Sequence, residues 1–208
     1  MTESTANEET LAAYEQSARS YADATQAGPG ATTREAMRRL VAITAGQAVV
    51  LELGSGPGWD ADALEELGPR VRRTDASPAF QALQAERGLA VDLLDALTGP
   101  YTDADHASYD AVMALCVLQH FERSAVGGVL REVAAALRPG GAFLVSIREG
   151  DGERWEGRES GGRYLTTFWT KDAFEERLSA VGLSTSWWAR SHDDDQIWLT
   201  FLATKGAA

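Results

Sequence analysis

The stretch Glu52-Leu53-Gly54-Ser55-Gly56-Pro57-Gly58 sets an acid and three glycines at alternating positions, directly after the apolar run "AVVLEL". A strand feeding a glycine-rich turn lets backbone N–H groups approach a ligand closely. The spacing departs from G-x-G-x-x-G. Gly54 and Gly56 match, but Trp59 stands where the third glycine belongs, and Pro57 removes a backbone donor. The turn therefore suits a ligand without a diphosphate better than a dinucleotide. Asp75 ends a second strand, "VRRTD", about 20 residues after the first glycine, where a carboxylate can accept from both ribose hydroxyls. Asp92 ends a third, in "LAVDLL", where it could meet an adenine amino group. His120 follows the fourth strand by a few residues. Its imidazole titrates near neutrality, so it is the candidate general base. The alternative for His120 is a structural bond to the cap of the next helix.

Further candidates lie toward the C-terminus. Arg148 and Glu149 end the fifth strand and would face a second ligand. Arg148–Thr167, "REGDGERWEGRESGGRYLTT", is polar and glycine-rich and reads as a lid-like loop over the site. Tyr164 and Trp169 flank its far end and could close on a bound molecule. "SHDDD" (191–195) reads as a solvated hairpin tip, and no His/Cys group has metal-ligand spacing, so no metal is expected. Cys116, the single cysteine, reads as a small core side chain; its solitude fits a reducing, cytoplasmic setting.

Positioning these residues takes a regular alternation of elements. Leu11, Tyr14, Ala18 and Tyr21 share one helical face, and a second helix spans Thr33–Ile43. Strand, turn and helix then repeat from Ala48. Ser77-Pro78 marks a helix start and Gly182 a helix end. "YDAVMALCVL" is unbroken enough to be buried on both faces of a parallel sheet. Two closing strands, around Ser184–Arg190 and Ile197–Thr204, form an antiparallel hairpin. The expectation is an α/β, Rossmann-like, doubly wound sheet of seven strands, mostly parallel, with an N-terminal helical cover over residues 1–30. One domain fills residues 1–208, with its ligand beyond the carboxyl ends of the strands.

Composition narrows the partners. The chain has 31 acids against 19 bases, a net charge of −12, and no basic run longer than "RVRR". Phosphate polymers need cations to neutralise them, so no nucleic acid is expected. No run approaches the ~20 apolar residues of a membrane span, so no membrane is expected either. The first residues, "MTESTANEET", are polar, acidic and candidates for disorder, and lack the apolar core of a signal peptide.

Taken together, these motifs resemble the class I S-adenosylmethionine-dependent methyltransferases, small bacterial members in particular, over about residues 10–204. "LELGSGPG" is similar to that family's first motif, "RTDAS" to its second, "AVDLL" to its third and "YDAVMALCVLQHF" to its fourth. "ALRPGG" resembles the lead into strand five, and "YEQSARSYADAT" the N-terminal cover. The resemblance implies S-adenosylmethionine as cofactor and S-adenosylhomocysteine as product. Gly54, Ser55, Gly56 and Gly58, after Glu52, would bind the methionine part by backbone. Asp75 would hold the ribose diol, Ala76 and Ser77 would lie against the adenine, and Asp92 and Leu93 would meet the adenine edge. Leu115 would meet the methionine amino group through its carbonyl. Tyr21 would close over the cofactor, while Tyr14, seven residues earlier, reads rather as packing. The expected reaction is O- or N-methylation of a small-molecule acceptor by a monomer or homodimer. Alternatives are a cyclase or lyase consuming the same cofactor, and a non-catalytic cofactor-binding partner protein.

Overall fold

A computed structural model describes residues 5–44, 47–157, 162–193 and 195–207. Five parallel strands form its backbone: β1 (Val49–Glu52), β2 (Arg70–Asp75), β3 (Asp92–Leu93), β4 (Tyr109–Ala114) and β5 (Leu137–Glu149), in the order β3-β2-β1-β4-β5. Two more, β8 (Leu183–Asp193) and β9 (Gln196–Lys205), form the closing hairpin, with β9 antiparallel to β5. These are the seven strands the sequence implies.

The sheet also has two strands the sequence reading missed. β6 (Glu153–Gly157) and β7 (Arg163–Trp169) pair antiparallel within the segment read as a lid-like loop. Glycine and charge content concealed them, yet "RYLTTFW" is dense in β-branched and aromatic residues, which favour strands. β7 joins β5 at Arg148↔Phe168 and Glu149↔Trp169, on the edge β4 leaves after Ala114↔Val145. Residues 158–161 of the expected loop lie outside the described residues.

The helices cover both faces. Leu51, Val112, Phe143, Val145 and Phe201 pack with α5 (Arg123–Ala136) and α6 (Lys171–Ser179). Val50, Met113, Leu144 and Leu202 pack with α2 (Ala31–Thr44) and α3 (Trp59–Glu65). Alternation along β5 is therefore strict: odd positions from Phe143 to Ile147 enter one core, and Ala142 and Leu144 the other. Ser146 and Arg148 continue that second row, opposite Thr200 and Trp198 of β9, where the covering helix has ended.

α1 (Ala6–Ala24) starts earlier than the acidic N-terminus implied. Thr5 and Glu8 form a reciprocal capping box, with Glu8 N donating to Thr5 Oγ1 (3.2 Å) and Thr5 N to Glu8 Oε2 (2.9 Å). The helix is tied across the molecule. Arg163 of β7 pairs with Glu9 (2.6 Å), Leu165 N donates to Thr10 Oγ1 (3.0 Å), and Arg19 pairs with Glu86 (2.7 Å) at the end of α4 (Pro78–Glu86). Glu15 accepts from the Ser77 hydroxyl and from Ala79 N (3.1 Å). Gly162 meets this roof closely: at φ +81° its backbone suits glycine, and a Cβ there would lie 3.1 Å from Ala13 Cβ.

Candidate cofactor and acceptor site

A cavity of about 990 Å³ opens beyond the carboxyl ends of β1, β2, β4 and β5, roofed by α1. That is near the upper end of the roughly 300–1,000 Å³ typical of small-molecule sites.

One half is built around the glycine turn. Gly54 has φ +65°, and a Cβ on it would lie 2.5 Å from Val117 Cγ2, so only glycine suits the position. A Cβ on Gly56 would meet nothing within 4 Å, so there is free space beside its Cα on the cavity side. Gly56 N and Ser77 N each donate to one oxygen of Asp75 at 2.7 Å. A carboxylate has about four lone-pair sites, so both Asp75 oxygens keep capacity for a diol. Burial, only partly offset by these N–H groups, raises the Asp75 carboxyl to about 6. Ser55, Ala76, Ser77, Leu115 and Tyr21 lie on the same wall.

Other expected cofactor residues lie elsewhere. Gly58 backs onto Gln84, whose Oε1 a Cβ would approach to 2.5 Å. Gln84 Nε2 in turn donates to Ser55 Oγ (3.0 Å) and Gly56 O (2.9 Å), and Arg73 donates to Gly58 O (3.3 Å). Gln84 and Arg73 thus brace the turn from behind, a role no motif announced. Glu52 is buried behind it; Oε2 has no hydrogen-bond partner, and desolvation raises the carboxyl to about 8. Asp92 and Leu93 are corrections. Asp92 pairs with Arg72 (2.7 Å) on a separate cleft and Leu93 is 66% exposed, because β3 is only two residues long. The chain reaches the cavity two residues later, at Leu94, Asp95 and Ala96.

The other half is built from side chains. His120 closes a 3₁₀ turn, Leu118–His120. Its Nδ1 lies 2.9 Å from Leu165 O, which can only accept, so Nδ1 carries the proton. Nε2 then holds the lone pair, 2.8 Å from the Tyr14 hydroxyl and 3.3 Å from Gln119 Nε2. Tyr14 is thus more than packing. Its ring lies 5.6 Å from Tyr21, 6.2 Å from Phe80, 5.1 Å from His120 and 6.1 Å from Tyr164, so it joins the two halves. Tyr164 and Arg148 both line the cavity. Trp169 does not. It is 1% exposed, its ring lies 5.8 Å from Phe174 with Arg123 over it at 4.0 Å, because alternation along β7 turns it into the core.

Cys116 is a further correction. It leaves β4 at φ +57°, uncommon for a non-glycine residue, and faces the cavity rather than the core. Its N donates to Ser146 Oγ at 2.8 Å. The surrounding protein pushes the thiol up to about 12, so it is no thiolate near neutrality. Among the described residues no group of His, Cys, Asp and Glu is arranged to hold a metal ion, and no helix is long and apolar enough to cross a membrane.

Residues 51–145 match the model of a methyltransferase domain family. A curated relative, the ubiquinone biosynthesis O-methyltransferase of Methylocella silvestris, is 36% identical over 105 residues. That match covers 47% of this chain and only 38% of the relative's length. Among solved structures, a Burkholderia thailandensis 1,6-didemethyltoxoflavin-N1-methyltransferase with bound 1,6-didemethyltoxoflavin and S-adenosylhomocysteine superposes with a TM-score of 0.73 at 24% identity. It covers 99% of this chain and 92% of that one. The DhpI–SAH complex superposes at 0.75 with 22% identity, over 97% and 98%. Likenesses at this identity carry the fold. Fold, domain match and glycine-turn cavity together make the chain similar to the class I S-adenosylmethionine-dependent methyltransferases. S-adenosylmethionine is the cofactor of that class.

Proposed function

We propose that the protein transfers a methyl group from S-adenosylmethionine to an oxygen or nitrogen of a small-molecule acceptor held in the same cavity. The observation carrying this reading is the join at Tyr14, which touches the glycine-turn half through Tyr21 and Phe80 and the side-chain half through His120 and Tyr164. Bound S-adenosylmethionine supplies an electrophilic sulfonium methyl; the protein supplies placement and a base.

In this reading Gly54, Ser55 and Gly56 present backbone to the methionine part. Asp75 accepts from the ribose hydroxyls, Ala76 and Ser77 flank the adenine, Leu115 offers its carbonyl, and Tyr21 covers the ligand. The free space beside Gly56 Cα and the spare lone pairs of Asp75 match such a ligand. His120 acts as base through Nε2. The acceptor gives its proton to the Tyr14 oxygen as the Tyr14 hydroxyl passes its own to Nε2. The resulting imidazolium keeps its Nδ1–H on Leu165 O, so no reorientation is needed. The α1 roof, the hairpin β6–β7 and Tyr164 exclude water.

The test is incubation with trideuteromethyl-labelled S-adenosylmethionine and a fractionated small-molecule extract, read by mass spectrometry. S-adenosylhomocysteine with a labelled small molecule is the expected pair. Methylthioadenosine with no labelled acceptor would instead assign cyclisation or elimination and overturn methyl transfer.

A further inference from the structure

Arg148 is a cation in a place that does not suit one. It is 7% exposed, its Nε is buried with no hydrogen-bond partner, and the guanidinium has no hydrogen bond or ion pair to any described residue. Aromatic rings stand on it instead, Phe168 at 5.4 Å and Trp198 at 5.2 Å. The acid acting on it, Glu156, is held by Arg154 (2.8 Å) and by the Thr166 hydroxyl (2.9 Å). Arg154, Tyr164 and Cys116 are the other titratable groups acting on it. Burying a charge without a partner is costly. Cation–π contacts offset only part of that cost. Burial accordingly lowers the guanidinium from its ordinary value, although arginine stays charged.

The row it stands in makes the position deliberate. Along β5 the residues facing α2 run Ala142, Leu144, Ser146, Arg148, and across on β9 Leu202, Thr200, Trp198. The row is apolar under the helix and turns polar where it enters the cavity. Ser146 Oγ already accepts from Cys116 N, and its only other contact among the described residues is Cys116 Sγ at 3.7 Å, a weak partner that a ligand oxygen could replace. Thr200, beside it, is 2% exposed and also lines the cavity.

We propose that the acceptor is a small organic monoanion bearing a carboxylate, gripped by the Arg148 guanidinium, with Ser146 and Thr200 donating to the remaining lone pairs. This rests on the two-ligand reading of the cavity. A planar fork of N–H donors matches a carboxylate. The single cation selects one negative charge rather than two, and Trp198 and Tyr164 offer flat surface to an apolar body.

The test uses benzoate and benzamide, which share a shape and differ in charge, titrated calorimetrically with and without S-adenosylhomocysteine. Benzoate should bind at least about 10-fold more tightly than benzamide, the worth of charge-assisted bonds. Arg148→Gln should erase the preference while keeping S-adenosylhomocysteine affinity. Its melting temperature should hold or rise, since an unpaired buried charge has gone; Arg148→Met serves if the glutamine variant fails to fold. Benzoate no tighter than benzamide on the wild-type protein, including no binding of either, overturns the proposal, as does an undiminished preference in the variants. Failure of S-adenosylhomocysteine to bind while the benzoate preference persists would overturn the cofactor reading and leave the anion grip standing.

Discussion

The two halves of the cavity are built from different materials. The half proposed for the cofactor is mostly backbone: a glycine turn, two N–H groups on a strand-end aspartate, a carbonyl after β4. The half proposed for the acceptor is mostly side chains, contributed by α1, the 3₁₀ turn, β5, β7 and β9. Backbone geometry is set by local sequence, because glycine at positive φ and a strand end need only neighbours to form. A side-chain wall depends on which distant elements meet. The Tyr14–His120 bond spans 106 residues, and the bond from Leu165 N to Thr10 spans 155.

That difference separates what the sequence disclosed from what it hid. The glycine turn, Asp75, the Ser77 cap and the seven main strands were legible because each has a short-range signature. Asp92 and Leu93 were displaced because β3 is too short for its end to be placed by pattern. The hairpin β6–β7 was hidden by its glycines and charges, and Trp169 followed from that error: a residue beside a loop can turn to a ligand, but one in a strand is committed to a face. Tyr14 was undervalued because its partner lies far along the chain. One signal was present and only half used: Arg148 was named as a strand-end candidate, and Ser146 was not. In "AFLVSIRE" the alternation places Ser146 and Arg148 on the same face as Leu144, and polar residues on a buried face point to a ligand.

Breaking the side-chain half should have the largest effect. His120→Ala removes the base and should cut turnover by roughly 10²–10⁴-fold, with S-adenosylmethionine affinity nearly unchanged. Tyr14→Phe should lower turnover in the same direction, with kcat falling more than KM rises. A loss under about fivefold in both variants would assign the pair to structure alone.

Breaking the backbone half should act on affinity instead. Asp75→Ala should weaken S-adenosylmethionine binding by about 10-fold or more, the worth of bonds to a charged group. Unchanged affinity in a folded variant, by calorimetry, would remove Asp75 from the ribose site.

A milder perturbation of the same half is pH. The Asp75 carboxyl sits at about 6, raised chiefly by burial, and Asp60 on the same wall is raised to about 6 for the same reason. Ribose hydroxyls donate to the ionised form, so affinity should be full above pH 6. It should fall below it, approaching about 10-fold per pH unit for one linked proton. Affinity that is flat from pH 7.5 to 5 would mean that neither carboxylate contacts the ligand.

The smallest effect on turnover and affinity is expected behind the turn, where the readout is stability. Glu52 holds its proton in the fold up to about pH 8, whereas a free carboxyl of this kind releases it at 4.5. Between those values the folded state binds the extra proton, so this group's contribution to stability falls as pH rises. Glu52→Gln removes that dependence. The melting-temperature difference between variant and wild type should move in the variant's favour from pH 5 to pH 8; a constant difference would mean Glu52 is ionised in the fold.

The most direct measurement is a crystal structure of the protein with S-adenosylmethionine. The expected result is the ribose diol on Asp75 and the sulfonium methyl aimed from the glycine turn past Tyr14 into the space bounded by His120 and Arg148. A cofactor bound without touching Asp75, or with its methyl turned away from that space, would contradict the division of the cavity into a cofactor half and an acceptor half.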